Sequence, residues 1–117
     1  MLIDTRCFGF PLTDAIRRHV DARVESALSI SSRHVLRVTV RLDDVNAGRG
    51  GIDKRCRVVV ALRHDRTFAA DAVREDLYDA VDRAARKARV GVRRMLKRST
   101  ARERRDPQRP AGAPALA

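Results

Sequence analysis

HVLRVTVRLDDVNAGRGGIDKRCRVVVALR, residues 34–63, decides the architecture. Before its centre, His34, Leu36, Val38, Val40 and Leu42 alternate with Val35, Arg37, Thr39 and Arg41. After it, Cys56, Val58, Val60 and Leu62 alternate with Arg55, Arg57, Val59, Ala61 and Arg63. A period of two puts successive side chains on opposite faces of a strand. Two such runs joined by Asn46-Ala47-Gly48-Arg49-Gly50-Gly51 predict a β-hairpin. One face of it is apolar; the other carries Arg37, Arg41, Arg55, Arg57 and Arg63.

Working outward, residues 2–8 alternate loosely and read as a first strand, broken by Gly9 and Pro11. Thr13 is then an N-cap whose hydroxyl can accept an orphan amide of the following helix. Ile16, Val20, Val24, Ala27 and Leu28 recur at helical spacing among charged residues, and Ser29 to Ser32 end that helix. After the hairpin, His64-Asp65-Arg66 turns the chain into a short fourth strand, Thr67 to Ala70. A second helix is expected from about Glu75 to Arg98, with Leu77, Val81, Ala84, Ala88, Val92 and Met95 as its core stripe. Its first turns are acidic and the rest cationic, an order that suits the helix macrodipole.

The element order is therefore β-α-β-β-β-α. This is an α+β fold, a two-layer sandwich with two helices on one face of a four-stranded mixed sheet. The first two strands, joined through a helix, should be parallel and the rest antiparallel. Residues 1–98 are expected to form this domain. Residues 99–117, rich in proline and poor in periodicity, are expected to be a disordered basic tail.

The 117-residue chain carries a net charge of +11, concentrated in its last third. Residues 1–82 hold 14 Lys and Arg against 13 Asp and Glu; residues 83–117 hold 12 against 2. No acid falls between Arg83 and Arg102. On the second helix Arg83, Arg86, Arg89, Arg93, Arg94 and Lys97 project opposite the core stripe, with Lys87 on the flank. The row is about 21 Å long at about 1.5 Å per residue, enough to meet several phosphates at once. Arginine predominates, which favours bidentate phosphate contacts. Aromatics are only 3% of the chain, with Phe10 and Phe68 better suited to packing and Tyr78 at the stripe's edge. Readers of single strands stack bases on exposed aromatics, so a folded RNA recognised by shape and phosphate position fits better.

Two stretches carry a resemblance. Thr13-Asp14-Ala15-Ile16-Arg17-Arg18-His19-Val20-Asp21-Ala22-Arg23-Val24 resembles the first helix of the ribosome hibernation-promoting factor and ribosome-associated inhibitor family (the sigma-54 modulation proteins). Glu75-Asp76-Leu77-Tyr78-Asp79-Ala80-Val81-Asp82, followed by Arg86-Lys87, is similar to that family's second helix. The resemblance covers about residues 1–98 and is to the short form, since the chain has no room for the dimerising second domain of the long form. It implies a translation inhibitor, a cytoplasmic stress-response factor that lodges in the messenger and transfer RNA channel of the small ribosomal subunit and is monomeric off the ribosome. It also implies that Arg23, Lys87 and Arg94 contact ribosomal RNA; Arg83, Arg86, Arg89, Arg93 and Lys97 join them on helical geometry. Two residues depart from the family: Val90 stands where Arg is frequent, and Gly91 interrupts the helix at a cost of about 1 kcal/mol relative to Ala. The alternative is a general binder of double-stranded or structured RNA, a chaperone with no ribosome-specific activity.

Other constellations are weaker. Cys7 and Cys56 give no disulfide framework and read as small core hydrophobes. His19, His34 and His64 show no metal-ligand spacing with them, so no metal or other cofactor is expected. His19, beside Val20, suits either packing or an RNA contact. Gly48-Arg49-Gly50-Gly51 lacks the Lys-Ser/Thr of a phosphate loop and joins strands. No nucleophile–base–orienter set is present, so neither catalysis nor a small-molecule substrate is expected. The first ten residues do not read as a signal peptide, and no stretch approaches a membrane span, so no membrane partner is expected either.

Overall fold

In a computed structural model, residues 1–45 and 53–105 are described, with side chains up to residue 98. The expected element order is found: β1 (Leu2–Phe8), α1 (Asp14–Leu28), β2 (Val35–Asp44), β3 (Lys54–Leu62), β4 (Arg66–Arg74) and α2 (Leu77–Arg105), with a 3-10 turn at Ser29–His34 after α1. The strands lie in chain order in one sheet. β1 runs parallel to β2, and β2–β3 and β3–β4 are antiparallel. The Asn46–Gly51 turn lies outside the described residues, as do residues 106–117 of the expected tail.

Local chemistry accounts for the joints. The Thr13 hydroxyl accepts from the Ile16 amide at 3.2 Å and opens α1. Between β3 and β4 the chain reverses through His64 and Asp65, at φ of 64° and 56°. Leu62 pairs with Arg66, so the loop is three residues long, 63–65, and two of the three take left-handed backbone. One side of the sheet is covered by the helices. Val20, Val24 and Leu28 of α1 and Ala80, Val81, Ala84, Ala88 and Val92 of α2 are buried with Val38, Val40, Leu42, Val58, Val60 and Leu62. Four alanines of α2 (80, 84, 85 and 88) are buried, so the helix backbone sits close to what it covers.

Three details differ from the expected pattern. Leu36, assigned to the core face, is 51% exposed, while Val35 is buried. A register shift between Val35 and Arg37 is responsible: the irregularity exchanges the faces of the residues before it. β4 reaches Arg74 rather than Ala70, its inner face continued by the buried Ala70 and Ala72. α2 starts at Leu77 and continues to Arg105 rather than ending at Arg98. Ser99-Thr100-Ala101-Arg102-Glu103-Arg104-Arg105 holds no proline or glycine, and Pro107 comes only later.

Cys7 and Cys56 are free thiols, Cys56 buried. Cys7 pairs with Leu42 and Leu42 with Cys56, so a whole strand separates them. Two strand spacings, roughly 9.6 Å, exceed the reach of a disulfide. Burial pushes the Cys56 thiol up to about 12 and also raises Cys7.

Candidate nucleic-acid interface

With α2's alanines and valines turned to the sheet, the opposite side of the helix faces solvent. Arg83, Arg86, Lys87, Arg89, Arg93, Arg94 and Lys97 are all exposed, as is Arg98 beyond them. At 100° per residue they occupy one half of the helix circumference, so they share a side. Val90, 48% exposed, lies in the middle of that arc.

The partners of these cations matter more than their number. Arg83 faces Asp79 at 3.9 Å, one turn back. Lys87 Nζ donates to the backbone carbonyl of Asp71 on β4, at 2.8 Å. Arg86, Arg89, Arg93, Arg94, Lys97 and Arg98 make no hydrogen bond or ion pair among the described residues. Like charges this close repel one another, and a polyanion is what relieves the repulsion.

Arg23 is placed differently. It lies on α1, and its Nε is 3.2 Å from Asp82 Oδ1 at the start of α2. His19 Nε2 bonds the same carboxylate oxygen at 2.8 Å and meets the Tyr78 ring edge-on, with centroids 4.7 Å apart. His19 thus ties α1 to α2, and Asp82 fixes Arg23 against the cationic helix. Arg89, two turns beyond Asp82, shares its flank. The structure therefore brings all the candidate residues to α2 and the adjoining flank of α1, with Arg23 and Arg83 partly neutralised by aspartates.

Gly91 has a structural reason that local sequence does not reveal. A Cβ built there would lie 1.9 Å from Cζ of Phe68 on β4. The Phe68 ring tip occupies the space where a side chain would be, so glycine lets helix and strand close on one another. The helix runs through Gly91 without a break.

The far side of the sheet is also cationic, but most of its arginines are compensated; Arg37, exposed on β2, has no partner among the described residues. Arg6, Arg41 and Arg57 stand in register across β1, β2 and β3. Arg6 meets Asp4 at 3.3 Å and Arg41 meets Asp43 at 3.0 Å, while Arg41 also lies over the Phe8 ring at 4.2 Å. Asp71 takes both Arg55 and Arg57, at 3.2 and 3.0 Å. Arg63 Nε donates to the Arg33 carbonyl at 2.7 Å.

Among the described residues no group of His, Cys, Asp or Glu side chains is placed to hold a metal ion. Nor is any helix among them long and apolar enough to cross a membrane.

A mixed four-stranded sheet backed by two helices, one of them with an exposed cationic face largely unpaired among the described residues, defines an α+β protein. The chain belongs to the family described as sigma 54 modulation protein / S30EA ribosomal protein, whose model matches residues 3–100. This is a family of ribosome-associated modulation proteins. Among solved structures, the chain is similar to the N-terminal domain of Protein Y from Thermus thermophilus, with 24% identity, 81% of this chain and 99% of that chain covered, and a TM-score of 0.69. It is also similar to a ribosomal subunit interface protein from Coxiella burnetii, with 16% identity, 83% and 99% covered, and a TM-score of 0.72. No curated protein matches.

Proposed function

We propose that this chain is a translation inhibitor that binds ribosomal RNA of the small subunit through α2 and occupies the channel used by messenger and transfer RNA. The observation that carries this reading is the row of cations on α2, six of which (Arg86, Arg89, Arg93, Arg94, Lys97 and Arg98) have no partner among the described residues. In a family of ribosome-associated proteins, the polyanion that such a row fits is ribosomal RNA. The structural neighbour from Coxiella burnetii, a ribosomal subunit interface protein, supports the same partner. Binding here works by position: a rigid helix braced by a sheet meets phosphates, and occupancy of the channel excludes other RNA. No chemical step is involved. The protein acts in the cytoplasm and is monomeric off the ribosome.

A translation reaction with purified components tests this. Added protein should stop synthesis at about one copy per ribosome, and a variant with Arg86, Lys87, Arg93 and Arg94 changed to Gln should not. Binding to many structured RNAs without inhibition would instead make the protein a general RNA chaperone.

A further inference from the structure

Beside the cationic row, α2 and β4 enclose a groove of about 670 Å³. Its floor is apolar (Phe68, Ala70, Gly91 and Met95), Val90 stands at its outer edge, and Asp71, whose carboxylate is taken by Arg55 and Arg57, also lines it. Arg86, Lys87, Arg94 and Arg98 stand along its helix side. The groove exists because the residues that could fill it are small. Ala69 and Ala70 add no bulk from the strand, and a side chain at position 91 would run into Phe68. Its size falls within the range of small-molecule sites. None of Arg86, Arg94 and Arg98 has a partner among the described residues.

We infer that this groove takes an unpaired nucleotide of the bound RNA, its base on the apolar floor and its flanking phosphates on Arg86, Arg94 and Arg98. The inference rests on the RNA-binding reading and adds to it a feature of the RNA, since a purely phosphate-directed surface has no use for an apolar recess. Charge complementarity selects the occupant. The rim is cationic, so the ligand is anionic; the floor is apolar, so the ligand also carries a neutral, flat surface. A nucleotide has both, with an apolar base face that needs no sequence-specific hydrogen bonds. Arg94 and Arg98 are one helical turn apart, about 6 Å, and so present cations at successive steps along the floor. An acidic peptide added as a strand to β4 is a poorer fit. Such addition needs free groups along the strand edge, and the Asp71 carbonyl already accepts from Lys87.

The test uses a short RNA hairpin with one unpaired adenosine, and the same hairpin with that base removed but its phosphates intact. Phe68 packs against Gly91 and its replacement would risk the fold, so the variant is Val90→Lys: a half-exposed position at the groove's edge, with one positive charge added and a side chain long enough to reach across the groove. The full-length protein should bind the intact hairpin about tenfold more tightly than the abasic one, and Val90→Lys should bind the two alike. Equal affinity of the unaltered protein for both hairpins, or failure to bind either, would overturn the inference. So would a tenfold preference that survives in Val90→Lys, or polyglutamate competing as well as RNA. Co-sedimentation with ribosomes is measured in parallel. Its absence with the base preference intact counts against the ribosomal reading alone, and its presence with equal hairpin affinities counts against the groove alone.

Discussion

On the open side of the sheet, Arg6, Arg41, Arg55 and Arg57 each hold a carboxylate at 3.0–3.3 Å. On the outer side of α2, Arg86, Arg89, Arg93, Arg94, Lys97 and Arg98 hold none among the described residues. The same charged group thus occurs in two electrostatic situations. Where strands bring aspartates into register with arginines, the local field largely cancels, and each pair is worth about 0–1 kcal/mol. Where acids are missing from the helix, the field adds up along its length and points outward. Counting basic residues would rate the two faces as similar. Pairing separates a face where most arginines hold a carboxylate, Arg37 excepted, from one where six cations in a row hold none among the described residues.

The largest effect should come from the helix. Changing Arg86, Lys87, Arg93 and Arg94 together to Gln should weaken ribosome binding at least about 100-fold, roughly 2.7 kcal/mol. Unfolding free energy should move by no more than about 1 kcal/mol, because these side chains are exposed. Co-sedimentation and urea denaturation read the two quantities separately.

Next in size is Gly91→Ala. In an open helix that change stabilises by about 1 kcal/mol. Here the new methyl meets Phe68, so a destabilisation of about 1–3 kcal/mol is expected in denaturant melts. A gain in stability would mean that the α2–β4 contact holding the cationic row in place is absent.

Asp71→Asn frees two arginines on the sheet at once. Stability should fall by about 1 kcal/mol, and affinity for a generic polyanion such as heparin should rise a few-fold. No change in heparin affinity would break the contrast from the sheet side. The smallest effect is expected from Arg41→Gln. This residue is already paired with Asp43, so ribosome affinity should change less than about twofold.

Much of this was legible in the chain. The alternation of residues 34–63 gave the hairpin, and the 3.6-residue stripe on α2 gave both its buried and its cationic side. What escaped was non-local. Leu36 looked like a core residue because alternation assumes an unbroken register, and the irregularity beside it broke that register. β4 extends past the Thr67–Ala70 run that local pattern marks, because Ala69, Ala70 and Ala72 are weak strand formers that only pairing with β3 holds extended. Gly91 resembled an interruption until Phe68, 23 positions earlier, was found against it. The cations of α2 could be placed on one face from spacing alone. That Asp71 serves Arg55 and Arg57, and that Asp82 holds Arg23, depends on contacts between elements that no local pattern records. The groove beside α2 has the same origin.

The most direct test is the salt dependence of ribosome binding, compared between the unaltered chain and the variant with Arg86, Lys87, Arg93 and Arg94 changed to Gln. Each phosphate neutralised contributes about 0.7–0.9 to the slope of log affinity against log salt. Four lost contacts should flatten that slope by about 3. A slope that stays the same after all four are removed would mean that these residues do not touch phosphate, and the assignment of α2 as the binding face would be wrong.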